Sequence, residues 1–254
     1  MSTKHVFDDA TGLVEKACLG VASTNPDLRF FAHHKVLYNA AHPRDKVAIL
    51  AGGGAGHEPA FSGLVGSGLV TVAVSGDVFA SPSSKQICSG VDLAPTDKGI
   101  VTIVLNYTGD CLNFGLASEK ARSAFHSEGK GRDIEMVNVG DDVSVGRSKG
   151  GLVGRRGLTG AAFTAKVLGA ASEKGDDVQK IAHLGRTMVK NFVTVGSSLD
   201  HCHVPGRSTD PKERGALSQS AVEIGMGIHN EPGAKHIENK PSGEDLIKEM
   251  LELL

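Results

Sequence analysis

Four short apolar runs constrain the fold of this chain more than any other feature. They cover residues 46–50, 69–74, 99–105 and 134–139, and a glycine-rich or polar segment follows each one. Most of the runs are continuous rather than alternating, which is typical of strands that are covered on both faces. Helical patterns at 83–91 and 112–126 lie between them. The sequence therefore predicts an α/β fold with a mostly parallel central sheet and helices on both faces.

The pattern changes after residue 142, where a glycine-rich, basic connection begins. Two helical patterns and two apolar runs follow it, at 158–174, 177–192, 193–199 and 221–228. We predict a first α/β subdomain over 1–180 and the start of a second, smaller and incomplete α/β subdomain over 181–254. Ser242, three residues before Asp245, predicts the N-cap of a last helix. Because this helix runs to the apolar end of the chain, we expect the chain to be a fragment.

Composition excludes several classes of protein. Apolar residues make up 40% of the chain, and its 33 glycines follow no G-X-Y period, which excludes collagen and low-complexity disorder. No apolar stretch approaches the roughly 18 residues of a membrane span, and the N-terminus lacks the apolar region of a signal peptide. The net charge of −2 argues against nucleic acid as a partner. Four scattered cysteines without a CxxC pair indicate reduced thiols and a cytoplasmic protein.

A glycine-rich segment that contains a histidine, Gly52–Pro59, follows the first run. Without a Cβ, glycine lets backbone amide groups come close to a small polar ligand. The segment lacks the Lys-Ser/Thr of a P-loop and the acidic residue of a dinucleotide-binding fingerprint. A plain tight turn explains such a segment about as often as a binding site does. His57 makes it unusual, because histidine donates or accepts a proton near neutral pH.

Two more segments after apolar runs carry side chains with acid–base chemistry. Asp110 follows the third run, and a carboxylate there can accept a proton from a substrate hydroxyl. Capping of the next helix is the commoner role for such an aspartate. His229 lies in a second His…Glu-Pro segment after the last run. Because open α/β sheets bind ligands at the carboxyl ends of their strands, we expect these segments to line a ligand site.

Two other clusters give weaker signals. His201-Cys202-His203 resembles a metal site, but adjacent side chains point to different faces and no second ligand pair has zinc spacing. A structural role is the better interpretation. Basic residues are clustered at Arg147, Lys149, Arg155 and Arg156. Such a cluster can bind a phosphate or an acidic partner, although a solvated face is more common.

Seven motifs follow one another along the chain: GGGAGHEPA from Gly52, SGDVFASP from Ser75, NYTGD from Asn106 with Asn113-Phe114, DDVSVG from Asp141, GRRGL from Gly154, CHVPG from Cys202 and GIHNEPG from Gly227. Together they closely resemble the substrate-binding module of dihydroxyacetone (glycerone) kinases. The resemblance runs from about Phe7 to the last residue. On these motifs the chain is identified as a member of that family.

The resemblance implies three catalytic residues. His229 attacks the ketone carbonyl of dihydroxyacetone and holds it as a covalent hemiaminal, which selects ketones and aldehydes over glycerol. His57 hydrogen-bonds the substrate oxygens, and Asp110 assists loss of the proton from the hydroxyl that is phosphorylated. The substrate-binding positions implied are Gly53, Gly54, Ala55, Gly56 and Leu105.

The resemblance also implies partners. The phosphoryl donor is ATP with Mg²⁺, held by a helical nucleotide-binding module outside this chain, in cis or in trans. We expect no cofactor or metal to bind to this chain itself, and we expect the chain alone to be inactive. Dihydroxyacetone is the expected substrate, with glyceraldehyde as a second candidate. A homodimer with a role in glycerol metabolism is also expected.

Leu105 departs from the family, which usually has a substrate-contacting lysine directly before the NYTGD motif. An aliphatic side chain cannot donate that hydrogen bond or offset negative charge. Together with the missing nucleotide module, this leaves an alternative open, a non-catalytic ketose-binding or regulatory relative that has lost kinase activity. In a third alternative, the glycine-rich segment binds a phosphorylated ligand directly.

Overall fold

The computed structural model describes residues 5–127, 129, 131–146, 153–208, 210 and 215–254. The helices in this part of the chain are α1 Leu13–Ser23, α2 Ser84–Leu93, α3 Thr108–Ser127, α4 Gly160–Glu173, α5 Val178–Met188 and α6 Gly243–Leu251. The strands are β1 Leu28–Phe31, β2 Val36–Asn39, β3 Ala48–Ala55, β4 Val72–Val78, β5 Ile100–Leu105, β6 Ile134–Val139, β7 Ser197–Ser198, β8 Val222–Ile224 and β9 Lys235–Ile237. No helix in the described ranges is long and apolar enough to cross a bilayer.

A six-stranded sheet with the order β1-β2-β4-β3-β5-β6 forms the centre of the fold. Strands β3 to β6, which correspond to the four apolar runs, are parallel to their neighbours in the group. Strands β1 and β2 add an antiparallel edge that the sequence patterns did not predict. Strand β3 runs through Gly52–Ala55, so the first half of the expected glycine-rich loop is the end of a strand. The mostly parallel central sheet is confirmed.

Helices cover both faces of this sheet. Along β3, Ile49 and Ala51 pack into a layer that contains residues of α4 and α5. Their neighbours Ala48 and Leu50 pack on the opposite face with residues of α2 and α3. All four of these strand residues are fully buried. Burial on both faces explains why the apolar runs are continuous.

A smaller antiparallel sheet, β7-β8-β9, follows the main one and confirms the second, smaller unit. The subdomain boundary at residue 180 stays a prediction. Helix α5 runs across this position and buries Ile181 and Ala182 in the core of the main sheet. At the last helix, Ser242 accepts a hydrogen bond from the Asp245 amide, which confirms the expected N-cap.

Two buried aspartates, Asp141 and Asp142, follow β6 and anchor later segments of the chain to the main sheet. Asp141 accepts hydrogen bonds from the amides of Leu158 and Gly160 at 2.7 and 2.8 Å, which fixes the start of α4. Asp142 pairs with Arg156 at 2.7 Å, and the same guanidinium donates to the Gly225 carbonyl at 2.7 Å. This ion pair therefore ties the segment after β8 to the carboxyl edge of the main sheet.

In the basic cluster, Arg156 therefore has a structural role. The next member, Arg155, is held through its main chain, because its carbonyl and that of Val153 accept hydrogen bonds from the Asn106 side chain at 2.8 and 2.7 Å. Arg147 and Lys149 lie outside the described residues.

Candidate active site

Most of the predicted site residues line one small cavity at the carboxyl edge of the main sheet. Its lining residues are Gly53, Gly54, His57, Ala60, Phe61, Leu105, Tyr107, Asp110, Ile228 and His229. The cavity measures about 20 Å³, which is room for about one water molecule. Ala55 and Gly56 do not line it and instead border the adjoining cleft beside α1.

The loop between β8 and β9 places His229 in the cavity. Asn230 has a left-handed backbone (φ 64°), a conformation that asparagine tolerates better than most residues. Its side chain accepts a hydrogen bond from the Cys202 amide at 2.7 Å and donates one to the Cys202 carbonyl at 3.1 Å. A Cβ at Gly227 would collide with the carboxylate of Glu231. The hydrogen bonds between Asn230 and Cys202 therefore hold the CHVPG and GIHNEPG motifs together.

Glu231 determines which nitrogen of the His229 ring faces the cavity as the acceptor. Its carboxylate accepts hydrogen bonds from the Nδ1 atom of His229 at 3.0 Å and from the His229 amide at 2.9 Å. Although partial burial by itself raises the pKa of Glu231, these hydrogen bonds lower it to about 2. The ionised carboxylate favours the tautomer with the proton on Nδ1, so we assign the unprotonated, nucleophilic nitrogen to Nε2.

His57 faces that nucleophilic nitrogen. The Nε2 atoms of His57 and His229 are 3.0 Å apart. Burial, together with the neighbouring His229, lowers the pKa of His57 to about 4. The ring is therefore neutral near pH 7. Since His229 Nε2 carries no proton, the hydrogen bond runs from His57 Nε2–H to His229.

Asp110 lies in the first turn of α3, which begins at Thr108, and not at the capping position expected for a helix that starts one residue after it. It is 5% exposed, and its Oδ1 atom has no hydrogen-bond partner in the described part of the chain. Burial raises the pKa of this carboxyl, against opposite effects of the Ser81 hydrogen bond and of His229. A Cβ added to Gly53 would lie 3.8 Å from Oδ1. This oxygen is therefore available to a ligand rather than to the fold.

Leu105, the last residue of β5, lines the same cavity and is 7% exposed. A Cβ added to Gly157 would lie 2.7 Å from Leu105 Cδ2, so the leucine side chain packs directly against this glycine. Among the described residues that line the cavity there is no lysine or arginine. The polar groups of this lining are the two imidazoles, the Asp110 carboxyl, the Tyr107 hydroxyl and backbone groups.

Three residues that contact His57 or His229 were not singled out from the sequence: Phe79, Tyr107 and Glu231. Phe79 stacks on His57 with ring centroids 4.9 Å apart. Tyr107 meets His229 edge to face at 4.9 Å. Each lies inside one of the seven motifs, within two residues of the end of a strand or of His229, and that position is the signal that could have identified them.

The His201-Cys202-His203 segment has a structural arrangement. The His203 ring stacks on His5 with centroids 5.0 Å apart, and a 2.7 Å hydrogen bond joins the two rings. Within the described ranges, no three His, Cys, Asp or Glu side chains are grouped so that they can hold a metal ion.

Comparison with known proteins identifies the family of this chain. Residues 19–254 match the Dak1 domain family. This chain belongs to the Dak1 family. It is 43% identical over 264 residues to a dihydroxyacetone kinase of Pichia angusta, covering 100% of this chain and 42% of that protein. The Dak1 chain therefore spans less than half the length of this curated relative.

Two solved structures resemble the Dak1 chain. The native dihydroxyacetone kinase of C. freundii superposes with a TM-score of 0.86 at 32% identity, covering 100% of this chain and 46% of that one. The dihydroxyacetone kinase operon co-activator Dha-DhaQ superposes with a TM-score of 0.83 at 30% identity, covering 94% of this chain and 70% of that one. The fold thus occurs both in a kinase and in a protein named as a co-activator.

The Glu231–His229 contact leads to a first prediction. We expect Glu231→Gln to weaken binding of dihydroxyacetone about tenfold, because a neutral amide holds the Nδ1 proton less strongly than a carboxylate does. The depressed pKa of Glu231 stabilises the fold above its ordinary value near 4.5, and this contribution is lost as the pH falls toward 2. The variant lacks that acid-dependent loss. Calorimetry and acid unfolding measure the two effects.

The matched control is Glu252→Gln, because Glu252 is exposed and lies far along the chain from the cavity residues. It is expected to change neither quantity. Unchanged binding and unchanged acid unfolding in Glu231→Gln would show that the contact with Glu231 does not determine the tautomer of the His229 ring.

Proposed function

We propose that this chain is the substrate-binding module of a dihydroxyacetone kinase and holds dihydroxyacetone as a covalent hemiaminal on His229 Nε2. The observation that carries the proposal is the Glu231–His229–His57 series, in which each hydrogen bond is about 3.0 Å long. Glu231 leaves a lone pair on Nε2, and His57 presents a proton beside it. Asp110 faces the same cavity with an unused oxygen.

The binding step follows from this arrangement. The carbon–nitrogen bond forms between His229 Nε2 and the carbonyl carbon, while the π electron pair moves to the carbonyl oxygen. That oxygen takes a proton from His57 Nε2–H, and solvent replaces the proton through the other ring nitrogen. The positive imidazole of His229 keeps its Nδ1 proton, and the ionised Glu231 balances its charge. Substrate thus takes the place of the hydrogen bond between the two histidines.

Asp110 then serves the transfer step. Its free oxygen accepts the proton of a substrate hydroxyl, which turns the hydroxyl oxygen into a better nucleophile toward phosphorus. When held by a separate helical module, ATP with Mg²⁺ supplies the phosphoryl group and offsets charge on its oxygens.

Direct detection of the adduct tests the proposal. Dihydroxyacetone labelled with carbon-13 at its carbonyl carbon is expected to give a tetrahedral carbon signal with the protein, and intact-mass spectra are expected to gain one substrate mass. A sample that is folded and saturated with ligand but shows only the free ketone signal would contradict covalent binding.

A regulatory role is the second candidate, and two observations favour it. Leu105 gives the cavity an apolar wall, and the co-activator Dha-DhaQ shares the fold. The higher identity to a kinase, 43% against 30%, favours the first candidate. A third candidate, direct binding of a phosphorylated ligand, suits the cavity poorly, because its described lining offers no cation to a phosphate.

Leu105→Lys separates the two main candidates. In a kinase assay of this chain with an added nucleotide-binding module and Mg·ATP, we expect the variant to turn over dihydroxyacetone about tenfold faster than the wild type, because a lysine offsets developing negative charge. The matched control, Leu112→Lys, places the same charge on the exposed face of α3 and is expected to have no effect. Binding without turnover in both wild type and Leu105→Lys would favour the regulatory role.

The remaining expectations stay part of this proposal. They are glyceraldehyde as a second substrate, a homodimer, a role in glycerol metabolism and a cytoplasmic location. The four cysteines are free thiols in the structure, which agrees with a reducing compartment.

A further inference from the structure

We propose that Phe79 and Tyr107 are positioning residues that hold the His229 imidazole in the orientation in which Nε2 faces the substrate. The inference rests on the covalent binding proposed above. The His229 ring is surrounded by three aromatic rings, with centroids at 4.8 Å for His57, 4.9 Å for Tyr107 and 5.2 Å for Phe79. The interplanar angles are 77°, 83° and 81°, so each ring meets His229 in the favourable edge-to-face geometry.

Hydrogen bonding alone does not fix the plane of the His229 ring. The contact with Glu231 holds only the Nδ1 atom. Rotation of the ring about this contact would carry Nε2 away from the cavity. The contact with His57 is given up when substrate enters. Phe79 and Tyr107 are the ring contacts that persist once substrate is bound, and attack on a carbonyl carbon depends on the direction of the Nε2 lone pair.

Phe79 is held firmly enough for this role. It follows β4 in a left-handed conformation (φ 57°), which a residue with a Cβ rarely adopts. Its amide donates to the Ala55 carbonyl at 2.9 Å. A Cβ on Gly54 would lie 2.8 Å from the Ala80 nitrogen, and one on Gly56 would lie 2.7 Å from the Phe79 ring. The glycines at the end of β3 therefore make room for Phe79, whose ring also stacks on His57 at 4.9 Å.

Tyr107 acts through its ring and not through its hydroxyl. The hydroxyl oxygen is buried and has no hydrogen-bond partner among the described residues. Burial, reinforced by the negative charge of Glu231, raises the pKa of this phenol, so it stays protonated. The aromatic ring is the part that meets His229, so a phenylalanine at this position is expected to serve equally well.

The test uses the full chain in ligand-free and dihydroxyacetone-bound forms. Nuclear Overhauser contacts between the ring protons of His229 and His57 report the orientation of the His229 ring without ligand, and the carbonyl carbon-13 signal reports the adduct equilibrium. We expect Phe79→Leu and Tyr107→Leu to lower the adduct equilibrium constant about tenfold and to weaken those ring contacts. The ring-keeping variants Phe79→Tyr and Tyr107→Phe are expected to stay within about twofold of wild type, with unchanged ring contacts.

The outcomes separate this inference from the proposed function. Wild-type adduct and ring signals in both leucine variants would overturn the positioning role, as would equal losses in the leucine and the ring-keeping variants. If the wild type itself forms no adduct, covalent binding is wrong, and the ligand-free ring contacts of His229 in the four variants still decide whether Phe79 and Tyr107 orient the ring. Thermal unfolding of each variant shows whether a lost signal reflects a lost fold.

Discussion

His229→Ala is expected to abolish the adduct and to weaken dihydroxyacetone binding by about two orders of magnitude. Without the carbon–nitrogen bond, the cavity offers the ligand a few hydrogen bonds worth about 1 kcal/mol each. Three such bonds support no better than about millimolar affinity. Intact-mass spectra and calorimetry on the same sample measure both effects.

Two further variants make this result specific. His229→Gln keeps an amide donor for the Glu231 carboxylate, which His229→Ala leaves without its ring partner, and it also lacks the nucleophilic nitrogen. It is therefore expected to lose the adduct with a smaller loss of thermal stability. His183→Ala removes an exposed imidazole on α5 and is expected to keep full binding. An adduct of unchanged occupancy in His229→Ala would mean that another side chain is the nucleophile.

The convergence of His57 and Asp110 follows from the sequence because both lie just after strands that were predicted to be parallel. The carboxyl ends of such strands share one edge of the sheet. The position of His229 has a different origin. The Asp142–Arg156 pair and its hydrogen bond to Gly225 bring the second sheet to this edge, and no periodic pattern in the chain encodes a contact between those three residues.

Sequence patterns could not predict two other features, the edge strands β1 and β2 and the role of individual glycines. Strands β1 and β2 have four residues each and are joined by a short 3₁₀ turn at Ala32–His34, so neither shows a clear periodicity. The role of Gly54 depends on the backbone of Phe79 and Ala80, and that of Gly56 depends on the Phe79 ring, both of which follow the neighbouring strand. A glycine motif marks close approach of backbone, but it does not tell what approaches.

The surroundings of Asp110 differ from those of a helix-capping aspartate. A capping aspartate satisfies backbone donors and stabilises its helix, whereas Asp110 is buried with an oxygen that has no hydrogen-bond partner among the described residues. Its folded pKa lies above the unfolded value of about 3.9. Between the unfolded and the folded pKa, the folded state binds more protons than the unfolded state. The contribution of Asp110 to the free energy of unfolding therefore falls as the pH rises through this range. At higher pH, the buried charge destabilises the fold.

Asp110→Asn is therefore expected to raise the unfolding temperature at pH 7 and to raise it less at pH 4, because the neutral amide removes the cost of a buried charge. In the same variant, phosphoryl transfer with an added nucleotide-binding module is expected to fall about 10²- to 10⁴-fold, the usual contribution of a general base. The adduct on His229 is expected to persist, which separates the transfer step from the binding step. Scanning calorimetry, a kinase assay and intact-mass spectra measure the three quantities.

The pH profile gives an independent check on the same residue. Because burial raises the pKa of Asp110, transfer is expected to be lost on acidification at a higher pH than an ordinary carboxyl would set, and Asp110→Asn is expected to lack this limb. Asp92→Asn, an exposed aspartate on α2, is the matched control and is expected to leave stability and profile unchanged. Lower stability of Asp110→Asn at pH 7 with full transfer would mean that the carboxylate serves the fold, because a group that stabilises through its charge loses that contribution when it becomes an amide.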